Sequence, residues 1–178
     1  MLKNSQQSIV SLKHNLARTI QCNTLPEGTY LAGGTSVYFY LHHGLSVDLD
    51  FFTPNRFISA LLLHAMRECF DEVGVELLGK DTVIFYLGSG KLKFSLFHFP
   101  YRLLSEPYET QIQEGVVCPL AYLEDIIAMK SVAINQRGSM KDFSEVAALV
   151  VDKYGLTKDY DYQIKTSFGI NSIIEGWL

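Results

Sequence analysis

The stretch LAGGTSVYFYLHHGLSVDLDFF, residues 31–52, decides how the rest of the chain is read. A Gly-Gly-Thr-Ser turn follows a short apolar run, and one helix-length segment later two aspartates, Asp48 and Asp50, stand on either side of Leu49. Charge is costly to bury unless something neutralises it. On an extended strand, residues two apart point to one face, so the carboxylates of Asp48 and Asp50 converge while Val47, Leu49 and Phe51 fill the other. Two hard oxygen ligands so placed suit Mg²⁺, which takes one or two carboxylates and completes its shell with water and substrate phosphates. An Asp-x-Asp taken alone also fits a solvated strand edge. The apolar flanks favour a buried strand.

The second piece is Gly33-Gly34-Thr35-Ser36, at a strand-to-helix junction. Backbone N–H groups and the helix dipole make such a junction an anion site. Glycines let the backbone approach a phosphate, and the hydroxyls of Thr35 and Ser36 add donors. A plain tight turn with a helix cap is the structural alternative.

Working outward, Ile9, Leu12, Leu16 and Ile20 recur at helical spacing and give an amphipathic helix ending near Asn23. A turn at 26–28 leads to a short buried strand at 30–32, a helix over 37–42 stopped by Gly44, and the aspartate strand at 47–52. A second amphipathic helix covers 56–71. Strands are predicted at 73–78, 83–87 and 92–99, the last two joined by a tight Gly-Ser-Gly hairpin. A polar loop and a short apolar stretch at Val116 and Val117 precede helices over 120–135 and 140–154. The fold class expected is α+β, a mixed β-sheet flanked by helices with a C-terminal helical subdomain. The division is drawn as an α/β core over 1–118 and a helical part over 119–178.

Together, the turn and the aspartate strand resemble the nucleotidyltransferase superfamily. More narrowly, GGTSVYFYLHHGLSVDLDFF is similar to the AbiEii/AbiGii toxin family, the matching positions being Gly33, Gly34, Thr35, His43, Ser46, Asp48, Asp50, Phe51 and Phe52. The resemblance continues through KLKFSLFHFPY and through EDIIAMKSVAINQRGSMKDFSEV, which looks like the family's lysine-to-aspartate helical motif. It runs over roughly residues 29–150, and implies a nucleotidyltransferase-like sheet. It also implies that Asp48 and Asp50 are catalytic metal ligands and that residues 33–36 grip the nucleotide. Lys130 is then the motif lysine, contacting the triphosphate, and Asp142 the motif aspartate, with Glu145 in place of a second one. Without the resemblance Lys130 reads as a snorkelling lysine, Arg137 as a solvated helix end and Asp142 as a helix cap. Two positions depart from the family pattern. Gly44 stands where arginine is usual, and the strand KLKFSLF carries Phe94, Ser95 and Leu96 where many nucleotidyltransferases have a third carboxylate.

The function implied is nucleotide transfer from a nucleoside triphosphate to an RNA 3′ end or a protein hydroxyl. The metal would be Mg²⁺, with Mn²⁺ as the alternative, and the role that of the toxin half of a toxin–antitoxin pair with a cognate antitoxin protein. A non-catalytic member of the same fold, binding nucleotide or a partner, is the first rival. A carboxylate-metal phosphodiesterase is the second, disfavoured by the lack of further Asp, Glu or His clusters. The apolar fraction of 48% and charged fraction of 19% belong to a globular chain with a sizeable core. A formal net charge of −4 gives no global basic footprint for nucleic acid. No run approaches a membrane span or a signal peptide, so a cytoplasmic protein without membrane contact is expected. Cys22, Cys69 and Cys118 lack metal-ligand spacing and read as small buried hydrophobes in a reducing compartment.

Overall fold

The structure, a computed structural model, describes residues 2–41, 48–89 and 91–154. His42, His43, Gly44, Ser46 and Val47, and the tail from 155 onward, lie outside them. The chain divides into two compact units, 1–126 and 127–178.

The first unit is built on a seven-stranded sheet of order β3-β4-β5-β2-β1-β7-β6. Its strands are β1 (Tyr30–Ala32), β2 (Leu49–Thr53), β3 (Val73–Gly79), β4 (Thr82–Leu87), β5 (Leu92–His98), β6 (Tyr108–Gln113) and β7 (Val116–Leu120). The sheet is mixed: β2 pairs antiparallel with β1 and parallel with β5, while β1 pairs parallel with β7. Three helices accompany it, α1 (Leu2–Gln21), α2 (Gly33–Leu41) and α3 (Ser59–Cys69). The helix α4 (Leu123–Arg137) starts in this unit and continues into the second, which also holds α5 (Met140–Tyr154).

Period-two alternation sorts the sheet's two faces. Leu31, Phe51, Leu96 and Val83 stand in one cross-strand row, with Leu49, Phe94 and Phe85 beside them. All are buried, and with Leu12 and Leu16 of α1 and Leu62 and Met66 of α3 they form the core. The opposite face carries the rows Ala32–Asp50–Ser95–Ile84 and Tyr30–Phe52–Phe97–Thr82. The aspartate strand is therefore a core strand whose second face carries Asp50 beside Phe52.

Two departures from the expected elements have clear causes. Residues 108–120, read as a loop and an apolar stretch, form the β6–β7 hairpin around Gly115, with φ +72°. Only Ile112 of β6 is fully buried, so its alternation is faint in the sequence. The helix α2 begins at Gly33 rather than Val37. Thr35 and Ser36 consequently lie inside its first turns, where their hydroxyls donate to carbonyls and do not act as caps.

The cysteine reading also needs correction. Cys22 and Cys69 are joined in a disulfide, their Cα atoms 6.0 Å apart, tying the end of α1 to the end of α3. Arg18 reinforces the junction: its guanidinium donates to the Cys69 carbonyl at 3.1 and 2.7 Å and lies 4.7 Å over the Phe70 ring. Cys118 is free and buried, and burial pushes its thiol up to about 12.

Candidate active site

The site residues of the first unit gather where β1 hands over to α2. Asp50 pairs with Ala32, the residue just before Gly33. Gly33 has φ +73°, a conformation that favours glycine. A Cβ added there would meet Oδ2 of Asp50 at 2.6 Å and its Cβ at 2.9 Å. The first glycine thus leaves room for the aspartate side chain itself, beyond any turn it makes. Thr35 donates its hydroxyl to the backbone carbonyl of Asp48, and Ser36 donates to the carbonyl of Gly33 at 2.6 Å. The Thr35 hydroxyl therefore fastens the turn to the aspartate strand, and that of Ser36 closes the turn on itself. Gly34, Thr35 and Ser36 are all buried.

On the other side of β2, the register sets Ser95 of β5 opposite Asp50. Ser95 is 2% exposed, and no carboxylate stands there. Two residues earlier on the same face comes Lys93, paired with Tyr86 of β4. The Lys93 ammonium lies 3.3 Å from Oε1 of Glu76 on β3, and the Tyr86 hydroxyl donates to Oε2 of the same carboxylate. These contacts hold Glu76 below the usual carboxylate range, Tyr86's hydroxyl first and Lys93 second. Glu76 in turn raises Lys93, and the charge of Asp48 adds to that rise. Asp48 also raises Tyr86, after Glu76 and burial. Sequence reading missed Lys93 and Glu76, because their meeting depends on cross-strand register that spacing alone does not give.

The second unit makes its own cluster. Lys130 of α4, 7% exposed, lies 3.5 Å from Oδ1 of Asp142 and in closer contact with Glu145, both on α5. Asp142 is 2% exposed, and Lys141 approaches Glu145 at 3.9 Å. The motif lysine and motif aspartate are therefore direct partners, both buried. His43 and Ser46 lie outside the described residues.

Among the described residues no group of three or more His, Cys, Asp or Glu side chains is arranged to hold a metal ion. A closed protein cage of the Ca²⁺ or structural Zn²⁺ kind does not fit. The pair Asp48 and Asp50 fits Mg²⁺ of the other kind, held by one or two carboxylates and completed by substrate oxygens. Among the described residues no helix is long and apolar enough to cross a membrane.

Comparison with known proteins agrees with this architecture. Residues 15–156 match the family model described as nucleotidyl transferase AbiEii toxin, type IV toxin–antitoxin system. An uncharacterized protein of Aquifex aeolicus (strain VF5) is 39% identical over 118 residues, which are 66% of this chain and 55% of that one. The chain thus spans about half the length of that relative. Among solved structures, the antibiotic-resistance factor ANT(2'')-Ia aligns over 97% of this chain and 96% of its own, with TM-score 0.51 and 13% identity. That likeness is one of fold.

Proposed function

The chain belongs to the AbiEii nucleotidyltransferase toxin family, and on that premise we propose that it is a metal-dependent nucleotidyltransferase. It would transfer a nucleotide from a nucleoside triphosphate to an RNA 3′ end or a protein hydroxyl. The observation that carries this reading is the apposition of Gly33 and Asp50, a glycine turn at a helix start packed against a metal-type carboxylate. Gly33, Gly34, Thr35 and Ser36 would receive the terminal phosphates at the N-terminal end of α2, where free N–H groups and the dipole favour anions. Asp48 and Asp50 would hold Mg²⁺ or Mn²⁺, which would supply charge stabilisation on the phosphates. Lys130 and Asp142 enter as the cation and carboxylate of the family's helical motif, Lys130 offsetting phosphate charge. As a member of that family the protein would act within a toxin–antitoxin system, with a cognate antitoxin as its partner.

One observation favours a non-catalytic, nucleotide-binding role. Ser95 stands opposite Asp50, where a carboxylate would have completed a triad of acids. Labelled triphosphates, Mg²⁺ and total cellular RNA separate the two readings. Transfer of label to RNA or protein by wild type, abolished by chelation and reduced by orders of magnitude in Asp50→Ala, supports the enzyme. Mg²⁺-dependent nucleotide binding without transfer supports the binding role. Equal transfer by Asp50→Ala would place the chemistry elsewhere.

A further inference from the structure

We propose that Lys93 binds a phosphate group of the substrate, and that Glu76 and Tyr86 hold its ammonium beside the aspartate pair until that phosphate arrives. The inference rests on the nucleotidyltransferase reading and adds to it a residue that the family motifs do not supply here. Leu49 pairs with Phe94 and Asp50 with Ser95, so one step back along the parallel ladder brings Lys93 level with Asp48. Lys93 is therefore a cation on the carboxylate face, one strand away from the pair.

Charge logic gives that placement its meaning. Two adjacent carboxylates repel an approaching polyanion unless cations stand near by. The Gly33–Ser36 turn lies on the β1 side of β2, and Lys93 lies on the β5 side. Substrate phosphates that extend across β2 from the turn therefore reach Lys93. The partner that now holds Lys93 is replaceable. The side chains of Lys93 and Glu76 are 33% and 39% exposed, so their ion pair is partly solvated and weak. A phosphate carries more charge and more acceptor oxygens than a single carboxylate and can take the ammonium from it. Tyr86, bonded to Glu76, keeps that carboxylate in place after the exchange.

The phosphate has two possible sources, the triphosphate or the backbone of an RNA acceptor. Calorimetric titration distinguishes them, using each of the four ribonucleoside triphosphates with Mg²⁺ in one arm and a short single-stranded RNA with a free 3′ hydroxyl in the other. Wild type, Lys93→Met, Lys93→Arg, Glu76→Gln and Asp50→Asn are compared over a range of salt. Lys93→Met is expected to weaken one arm by roughly tenfold to a hundredfold, the worth of a charge-assisted contact, and to lower the salt slope by about one. Lys93→Arg restores most of the loss. Glu76→Gln tightens the same arm, because it removes the competing carboxylate; a purely structural pair would instead leave binding unchanged while lowering the melting temperature. The arm that responds identifies the source. If Lys93→Met binds both ligands within about twofold of wild type while Asp50→Asn loses triphosphate binding, this inference is overturned and the functional reading stands. If wild type binds no triphosphate with Mg²⁺, both fall.

Discussion

Gly33 and Asp50 occupy adjoining space so tightly that a methyl group on the glycine would overlap the aspartate side chain, 2.6 Å from its Oδ2. Because the aspartate Cβ is also within 2.9 Å, rotating the carboxylate away does not relieve the overlap. Gly33→Ala also forces a side chain into φ +73°. The expected cost is about 2–4 kcal/mol in stability, together with loss of Mg²⁺-dependent triphosphate binding. Thermal melting of Gly33→Ala and of Gly33→Ala/Asp50→Gly checks it. The double variant should recover part of the stability and none of the binding. Equal destabilisation in both would show that the clash is not the cause.

Tyr30 supplies a second test. Its hydroxyl is buried with no hydrogen-bond partner among the described residues, so Tyr30→Phe is expected to raise stability by about 1 kcal/mol. Burial first, and the charge of Asp125 second, raise the Tyr30 hydroxyl above its ordinary 10.0. Burial and the hydrogen bond with Tyr108 raise Tyr40 likewise. The unfolded chain releases these protons first as pH rises, so their contribution is intact below 10.0 and declines above it. Urea midpoints across that range should fall, and fall less steeply in Tyr30→Phe. A Tyr30→Phe variant less stable than wild type at neutral pH would contradict the orphaned hydroxyl.

The Lys130 cluster has a structural cost attached to any catalytic role. Removing the ammonium leaves Asp142, 2% exposed, facing Glu145 without their shared cation. Lys130→Ala is therefore expected to lose roughly 3–5 kcal/mol, while Lys130→Met with Asp142→Asn and Glu145→Gln loses far less. Activity of Lys130→Ala must be read well below its lowered melting temperature. A single variant as stable as wild type would show that the cluster is solvated.

The disulfide between Cys22 and Cys69 encloses a long loop, their separation being 47 residues. In the chain-entropy model it is worth about 4 kcal/mol. Cys22→Ser/Cys69→Ser, or reduction, should lower the urea midpoint accordingly. Cys118, buried with its thiol pushed up to about 12, should resist alkylation until the protein unfolds. Rapid labelling of a thiol in the native, unreduced protein would contradict the burial if it falls on Cys118 and the disulfide if it falls on Cys22 or Cys69.

Much of the fold was legible where burial wrote a strong pattern. Leu12, Leu16, Leu49, Phe51, Phe94 and Leu96 announce their core faces through spacing, and the glycine turn and aspartate strand follow from local chemistry. The β6–β7 hairpin was not legible, because a polar edge strand needs only one buried position, Ile112, to be held in the sheet. The pairing of Lys93 with Glu76 and that of Cys22 with Cys69 depend on which distant segments meet. Sequence spacing does not carry that information. The same holds for Gly33: its sequence signals a turn, and only the register of β1 on β2 shows what the missing side chain makes room for.

The position of β1 between β2 and β7 has a consequence for how the protein emerges from the ribosome. One side of β1 finds its partner within 22 residues, Tyr30 with Phe52, whereas the other waits for Leu120 to meet Leu31, 120 − 31 = 89 residues later. At bacterial-scale elongation rates that wait is roughly 4–18 s. Throughout it the nascent chain carries an open, apolar strand edge that any passing strand could pair with. Chains arrested before residue 108 should accordingly bind holdase chaperones and be cut readily by protease, and chains arrested with β7 fully outside the exit tunnel should resist. If both lengths prove equally resistant, the sheet does not need β7 to close that edge.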